Sequence, residues 1–173
     1  MIEQCSIDEA FCDMTGTEKL YGDPIAFATK LKDRIYKELG FTVNIGISTN
    51  KLLAKMASDF EKPNRVHTLF PEEMATKFWP LPVESLYGWG KTTAKRLRSL
   101  GITTIGALAK ADRQMLLSNF KSQGDYLWES ANGISSSAVT AESPANKGYG
   151  NSVTLPYDVT DTENAHHILL SLC

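Results

Sequence analysis

The sequence predicts an α+β protein that begins with a β-sheet and packed helices, continues with a small all-helical unit and ends with the start of a further α/β unit. Two observations predict this order. Up to about residue 80, runs with the two-residue period of strands alternate with runs with the 3.6-residue period of helices. From Glu84 to Ala131, short helical runs are separated by glycines instead.

Strands and helices alternate in the first part of the chain. The segment from Gln4 to Asp13 is rich in strand-compatible residues, and Phe41 to Ser48 alternates apolar and polar residues as a half-buried strand does. Between them, Asp23 and Pro24 supply the N-cap and N1 residues of a helix that Gly40 ends. The apolar face of that helix is expected to pack on the sheet, and it consists of Ile25, Ala28, Leu31, Ile35 and Leu39.

A second helix and strand follow. Thr49 or Asn50 can cap a helix that ends near Phe60, and Val66 to Phe70 has the character of a short strand. A change of composition between Pro80 and Pro82 predicts a domain boundary. The predicted divisions are residues 1–80, an all-helical unit at 81–134, a polar linker at 135–147 and a last domain at 148–173, which begins with a strand at 148–157 and a helix from 161.

Composition excludes several classes of protein. The 173 residues are 42% hydrophobic and 22% charged, so the chain can bury a core and is not disordered. It lacks a run of about 20 apolar residues that could span a membrane, and it lacks the pattern of a signal peptide, so we expect a cytoplasmic protein without membrane contact. The three cysteines have no C-x-x-C spacing and are expected to be free thiols: Cys5, Cys12 and Cys173.

Two adjacent carboxylates, Asp8 and Glu9, lie in an otherwise apolar strand, where an unpaired charge is costly. A divalent cation such as Mg²⁺, which prefers oxygen ligands, would compensate them, and phosphoryl transfer uses two such ions. Because neighbouring residues of a regular strand face opposite sides, both can bind one ion only where the strand ends, twists or bulges. The other interpretation, two solvated acids on an edge strand, stays open.

The segment from Leu86 to Gly101 predicts a phosphate-binding helix start. Gly88 and Gly90 precede a helix whose first N–H groups are free, where the helix dipole favours an anion. The net charge of the chain is only −2, yet basic residues cluster on this helix, which matches the helix-hairpin-helix that holds a DNA backbone without reading bases. Glycines that serve only helix packing are the other interpretation. The predicted contacts are Gly88, Gly90, Lys91, Thr92, Lys95 and Arg98.

Lys62 follows a helix and precedes a turn, where a cation can reach a triphosphate. Solvent is the usual destination of an isolated lysine, so both interpretations stay open. The three histidines lack partners at metal-ligand spacing and are expected to have no ligand role: His67, His166 and His167.

Three motifs occur in one order along the chain: Ser6-Ile7-Asp8-Glu9-Ala10-Phe11, then Gly46 to Ser58 with Glu61-Lys62-Pro63-Asn64, then Leu86 to Leu97. In this order and spacing they resemble the Y family of translesion DNA polymerases, polymerase IV-like or UmuC-like, over essentially the whole chain. The resemblance implies a partial catalytic palm domain at 1–80, a thumb with a helix-hairpin-helix at 81–134 and the beginning of an α/β little-finger domain at 148–173.

By that resemblance the chain is part of a DNA-directed DNA polymerase of DNA repair, a nucleotidyltransferase that uses two Mg²⁺ ions, primer-template DNA and deoxynucleoside triphosphates. Asp8 and Glu9 correspond to two of the three acidic metal ligands, and Glu9 helps to place the ion that activates the primer 3′-hydroxyl. Lys62 corresponds to the lysine that contacts the incoming triphosphate. Gly88, Gly90 and the basic helix correspond to the thumb's contact with the duplex backbone. A sliding clamp is implied as a partner of the full-length protein.

The family's other metal-binding aspartate and its fingers would precede Met1, and most of the little finger would follow Cys173. We therefore expect that this chain does not polymerise by itself. We also expect its shortened palm sheet to expose an edge that favours association with another chain.

Three alternatives remain at the level of sequence. A noncatalytic DNA-binding helix-hairpin-helix module would bind DNA without dependence on metal. A different palm-type enzyme, such as a nucleotide cyclase domain, would use paired acids but would lack the helix-hairpin-helix. An interaction domain without nucleic acid would show no salt-dependent affinity for DNA.

Overall fold

The computed structural model describes residues 1–141 and 148–172. They fall into two units, Met1–Ala141 and Glu142–Cys173. Helices predominate and the strands are short, which confirms the predicted α+β class. Among the described residues, no helix is long and apolar enough to cross a membrane.

The chain begins with a hairpin rather than with one strand. Ile2–Gln4 (β1) pairs antiparallel with Ala10–Cys12 (β2), and the chain turns between them. The prediction of a continuous strand from Gln4 to Asp13 is therefore wrong, because the segment finds its partner in the residues just before it. As a result, Asp8 and Glu9 lie at the turn and not inside a ladder.

Glu18–Tyr21 (α1) and Pro24–Leu39 (α2) follow the hairpin. The predicted ends of α2 are confirmed: the Asp23 side chain accepts a hydrogen bond from the Ala26 amide, and Gly40 adopts a left-handed φ of 77°. The predicted packing on a sheet is confirmed only in part: the helix contacts the strands at Ile45–Ile47 and Val66–Thr68, but most of its apolar face is not covered. Ala28 is buried and Ile35 is half-buried, whereas three members of that face are exposed: Ile25, Leu31 and Leu39.

A parallel β–α–β element lies at the centre of the first unit. Ile45–Ile47 (β3) pairs with Val66–Thr68 (β4), and Lys51–Ser58 (α3) connects them. Both strands are shorter than predicted. The Asn50 side chain caps α3 by accepting a hydrogen bond from the Leu53 amide, as predicted. Gly46 lets β3 approach α3, because a Cβ there would lie 1.9 Å from the Ala54 carbonyl oxygen.

Short helices occupy most of the chain from Pro71 to Ala131, as predicted for the segment from Glu84 to Ala131. The segments in order are a 3₁₀ turn at Pro71–Glu73, then Met74–Lys77 (α4), a 3₁₀ turn at Val83–Ser85, Lys91–Ser99 (α5), Ile105–Ala109 (α6), Arg113–Phe120 (α7) and Gln123–Ala131 (α8). Thr104 and Asp112 cap α6 and α7 with their side chains.

One apolar core holds the first unit together. It contains residues from α3 and Leu69, which directly follows β4, together with residues from α5 to α8, so the two sides of the predicted boundary near residue 80 share it. The division into domains stays a prediction. The largest fully buried members are Phe78, Leu53, Leu69, Leu86, Leu97, Ile105, Leu108, Leu116 and Leu127.

The second unit contains Thr162–Leu172 (α9), which confirms the predicted helix. Residues 148–157 form no strand in the described part of the chain, so that prediction is wrong. A strand needs a neighbour to pair its backbone groups, and none of the described strands pairs with this segment. Residues 142–147 of the predicted linker, and Cys173, lie outside the described residues. Cys5 and Cys12 are free and exposed, as predicted.

Candidate functional site

The turn between β1 and β2 presents the two predicted metal ligands. Backbone N–H groups of Cys5 and Ser6 donate to the Glu9 carbonyl oxygen at 2.9 and 3.3 Å, which closes the turn. The Ser6 hydroxyl donates to Asp8 Oδ1 at 2.7 Å. Asp8 and Glu9 are both exposed. Because the ladder stops here, its alternation of faces no longer separates the two carboxylates.

Glu9 and Lys62 are connected by a chain of ion pairs. Lys55 Nζ lies 2.7 Å from Glu9 Oε1 and 3.1 Å from Asp59 Oδ2. Lys62 Nζ lies 2.7 Å from Asp59 Oδ1. We refer to Glu9, Lys55, Asp59 and Lys62 as the acid–lysine chain. It brings together a predicted metal ligand and the predicted triphosphate contact, which lie 53 positions apart in the sequence.

The two inner members of the acid–lysine chain have shifted pKa values. Burial acts to lower the pKa of Lys55, but hydrogen bonds to Glu9 and Asp59 outweigh it and raise that pKa. Burial acts to raise the pKa of Asp59, but hydrogen bonds from Lys62 and Lys55 outweigh it and lower that pKa. Both groups are therefore more firmly charged than usual at neutral pH, which maintains the chain of ion pairs.

The carboxylate oxygens of Asp8 and Glu9 are the type of ligand that Mg²⁺ prefers. Their hydrogen-bond partners in the structure determine which of these oxygens could bind an ion. Asp8 accepts one hydrogen bond from Ser6 on Oδ1, and Glu9 is engaged by Lys55 through Oε1. The described residues contain no cluster of three or more His, Cys, Asp or Glu side chains with metal-binding geometry. Asp8 and Glu9 thus fit as two ligands of a metal site that requires further ligands.

The loop from Leu86 to Gly90, which is predicted to bind phosphate and is called the phosphate-binding loop below, contains two glycines with different backbone conformations. Gly88 has a φ of 87°, a conformation that favours glycine, whereas Gly90 has an ordinary φ of −75°. A Cβ built at either position meets nothing within 4 Å. Packing therefore does not explain either glycine, and the space over the loop is free for another molecule.

The N-terminus of α5 follows this loop directly. Gly90 is its N-cap and supplies no capping side chain. Thr92, Lys91 and Lys95 are exposed, and within the described residues neither lysine forms an ion pair. Arg98 differs, because its guanidinium is bonded to Glu84. Lys91 and Lys95 are thus the cations most available to a phosphate.

The phosphate-binding loop is fixed to α3, which carries part of the acid–lysine chain. The Tyr87 amide donates to the Met56 sulfur at 3.3 Å, and Lys55 Nζ lies 5.7 Å from the centre of the Tyr87 ring. Lys55 therefore touches Glu9 on one side and the loop on the other. Through Lys55, α3 therefore connects the turn that carries Glu9 with the loop that contains Tyr87 and Gly88.

Sequence reasoning missed Lys55, Asp59, Glu3 and Lys51. Lys51 Nζ contacts both carboxylate oxygens of Glu3 at 2.7 and 2.8 Å, and the Thr140 amide donates to Glu3 at 2.8 Å. Lys51, Lys55 and Asp59 recur every four residues, which places them on one face of a helix. That spacing in the sequence could have indicated that the three residues lie together. The pairing of Lys51 with Glu3 and of Lys55 with Glu9 could not be predicted, because it depends on the hairpin.

Comparisons with known proteins show which proteins the chain resembles. Residues 1–59 match the IMS family, described as the impB/mucB/samB family. DNA polymerase IV of Clostridium acetobutylicum is 49% identical over 173 residues, a match that covers 99% of this chain and 43% of that protein. The chain thus spans less than half the length of the curated relatives that it matches.

Solved structures give the same answer. A Y-family DNA polymerase chimera matches with a TM-score of 0.77 and 30% identity over 99% of this chain and 50% of its own. An insertion ternary complex of Dbh DNA polymerase matches with a TM-score of 0.71 and 31% identity over 98% of this chain and 48% of its own. These findings place the chain in the Y family of DNA polymerases. The curated relatives that it matches within that family are bacterial proteins named DNA polymerase IV.

Proposed function

We propose that this chain is part of a translesion DNA polymerase that carries out template-directed nucleotidyl transfer on primer-template DNA, with deoxynucleoside triphosphates as substrates. The observation that carries the proposal is the acid–lysine chain, which joins Glu9 at the turn to Lys62 through Lys55 and Asp59. A carboxylate for a metal and a cation for a triphosphate are thereby linked, next to a loop suited to a DNA backbone.

We assign roles to the residues on that basis. Asp8 and Glu9 supply oxygen ligands for Mg²⁺, two ions of which would stabilise charge on the attacking and leaving oxygens of the reaction. Lys62, which is exposed and held by Asp59 alone, binds the triphosphate. Lys55 holds the Glu9 carboxylate in place and balances its charge, so that a cation competes with Lys55 for Glu9.

The thumb contact with the duplex backbone is assigned to the loop and helix from Gly88 to Arg98. We assign the helix-hairpin-helix to the phosphate-binding loop, α5 and the second helix after Gly101 and Ile102, which is α6. Gly88 and Gly90 permit close approach, and the N–H groups at the start of α5 face the phosphate. Lys91, Thr92, Lys95 and Arg98 surround that position.

The activity belongs to a longer protein, because the chain spans 43% of its curated relative. We propose that the isolated chain does not incorporate nucleotides, since two carboxylates bind Mg²⁺ poorly without a third. We also propose a cytoplasmic location and a sliding clamp as a partner of the full-length protein. A primer-extension assay tests the first of these proposals directly.

The experiment that tests the DNA contact is a salt series with a fluorescent primer-template duplex. We expect the logarithm of affinity to fall linearly with the logarithm of salt concentration. A variant with Lys91→Ala, Lys95→Ala and Arg98→Ala should lower the slope by about 0.9 for each phosphate contact that it removes.

The chain offers a matched control for that variant. On α2, Lys30→Ala, Arg34→Ala and Lys37→Ala change the net charge equally, and Arg34 is ion-paired with Glu38 as Arg98 is with Glu84. The control should keep the slope of the parent chain. Equal effects of the two variants would show that net charge alone governs binding and would refute the assigned contact.

The second candidate function is a noncatalytic DNA-binding module. It is favoured by the engagement of Glu9 with Lys55 and by the absence of a three-ligand cluster among the described residues. The two functions differ in their dependence on metal. If the full-length protein incorporates nucleotides with Mg²⁺, and Asp8→Asn and Glu9→Gln abolish this, the polymerase function holds. If the full-length protein binds the duplex with and without Mg²⁺ but incorporates no nucleotide, the module is the better description.

A further inference from the structure

A cleft of about 260 Å³ lies between the start of α5 and the turn that joins α7 to α8. Its lining includes two hydroxyls, from Thr92 and Thr93, and two amides, from Asn119 and Gln123. It also includes two cations, Arg96 and Lys121. No acidic residue lines the cleft within the described part of the chain.

The two cations of the cleft are available for a ligand. Arg96 lies over the Phe120 ring at 5.2 Å, a contact that orients the guanidinium without neutralising it. Lys121 is exposed. Neither side chain forms an ion pair with any described residue, in contrast to Arg98 and Arg113, which are bonded to carboxylates.

Lys121 occupies a backbone conformation that suits glycine. It has a φ of 55° and a ψ of −139°, close to the first central position of a type II′ turn. Its amide donates to the Leu117 carbonyl oxygen and its own carbonyl accepts from the Gly124 amide, so the surrounding helices fix this conformation. A glycine would satisfy the same turn with less strain. The fold therefore does not require lysine here, and the side chain is free to serve a ligand.

We propose that this cleft binds a phosphate of the DNA backbone through Arg96 and Lys121. The proposal rests on the proposed function, because it extends the same contact with DNA. Thr92 belongs both to the cleft and to the predicted contacts at the start of α5, so the two sites are continuous. A DNA strand that continues from the phosphate-binding loop along α5 would reach the cleft next. Lys121, which lies between α7 and α8, would contribute a second cation to it.

The test is the same duplex-binding salt series, applied to Lys121→Gly and Arg96→Gln. Each variant should lower the slope by about 0.9, which corresponds to about eightfold weaker binding at 0.1 M salt. Lys121→Gly should also have a melting temperature at least as high as that of the parent chain, because glycine removes the backbone strain at this position. Lys37→Gln is the matched control on α2 and should change neither quantity.

The outcomes separate this inference from the proposed function. If the parent chain binds the duplex and the substitutions at Lys91, Lys95 and Arg98 reduce the slope, while Lys121→Gly and Arg96→Gln leave it unchanged, the cleft is not a DNA site and the proposed thumb contact stands. If the parent chain does not bind the duplex at all, both the cleft and the assigned contact of the phosphate-binding loop are wrong for this chain, and primer extension by the full-length protein remains the test of the polymerase function.

A second arm distinguishes DNA from a free phosphate. Inorganic phosphate alone should not saturate the cleft at millimolar concentration when it is followed by the amide resonances of Thr92 and Lys121. Saturation by phosphate, combined with DNA affinity that is insensitive to Arg96→Gln, would make the cleft a small-anion site and overturn the proposal.

Discussion

At the scale of single residues, two glycines differ in whether packing inside the fold requires them. Gly46 is required by packing, because a Cβ there would lie 1.9 Å from the Ala54 carbonyl oxygen and 2.5 Å from the Ser58 amide nitrogen. Gly90 has neither a close neighbour nor an unusual φ. The stability of the fold therefore requires glycine at position 46, whereas nothing within the fold requires it at position 90.

The substitution Gly90→Ala should therefore separate stability from binding. Alanine tolerates the backbone of Gly90 and reduces the entropy of the unfolded chain, but it is a poorer N-cap for α5 than glycine. These two effects oppose each other, so the free energy of unfolding should change by less than about 1 kcal/mol. Affinity for a primer-template duplex should fall, because the methyl group occupies the space over the loop. Thermal unfolding and duplex titration measure the two quantities on one sample.

Gly46→Ala is the reciprocal control and should destabilise the chain by about 3 kcal/mol or more, since backbone cannot yield to a buried methyl group. A Gly90→Ala variant that unfolds early, or that binds duplex as the parent does, would contradict the assignment of this loop to phosphate.

The ion pair between Glu3 and Lys51 predicts a dependence on pH. A hydrogen bond from Lys51, and then one from the Thr140 amide, lowers the pKa of Glu3 from its ordinary value of 4.5. A lowered pKa in the folded state stabilises the fold above the ordinary value, and this contribution is lost as the pH falls below it. Protection of the Thr140 amide against hydrogen exchange should decrease from pH 5 to pH 3.

Glu3→Gln keeps an oxygen acceptor but removes the titration. Its Thr140 amide should show the same reduced protection throughout this pH range. A parent chain whose Thr140 protection is flat with pH would show that Glu3 does not hold this segment.

At the scale of elements, helix ends could be predicted from the sequence and strand pairings could not. Asp23, Asn50 and Asp112 each cap a helix through their own side chain, as local signals indicate. The residue pattern from Gln4 to Asp13 predicts one strand, whereas the structure has a hairpin. Strand pairing depends on contacts between separate segments, which the pattern within one short segment does not show. For the same reason, the sequence did not indicate a role for Lys55. Its position on one face of a helix could be predicted, but its partner Glu9 lies at the turn of the hairpin.

The cap of α3 links two parts of the first unit. Asn50 accepts from the Leu53 amide through Oδ1 at 2.9 Å and donates through Nδ2 to the Gly133 carbonyl oxygen at 2.8 Å. Asn50→Ala removes both bonds and should lower the free energy of unfolding by about 2 kcal/mol. Denaturant unfolding measures it.

Asn50→Asp divides the two contributions of this side chain. Aspartate keeps the cap but cannot donate to Gly133, so the loss should be about 1 kcal/mol. If Asn50→Asp and Asn50→Ala are equally destabilised, the cap contributes nothing and the link to Gly133 accounts for the whole effect.

At the scale of the whole molecule, the apolar core lies in one of the two units. All of its buried members fall between Leu53 and Ala131, and α9 contains no buried residue. The exposed apolar face of α2 belongs to the first unit as well, with Ile25 47% and Leu39 64% exposed. The motifs predicted the order of the parts, but they could not show which parts would share a core, since that depends on contacts between distant segments.

Removal of residues 142–173 should therefore leave the first unit folded. Because the hydrophobic contribution to stability follows buried apolar area, a chain that ends at Ala141 should melt within about 2 °C of the parent. It should also keep the salt dependence of duplex binding, since every residue assigned to the backbone contact precedes Ala141. A large drop in melting temperature would mean that the second unit stabilises the first. An unchanged melting temperature with lost binding would mean instead that residues after Ala141 contribute to the DNA contact.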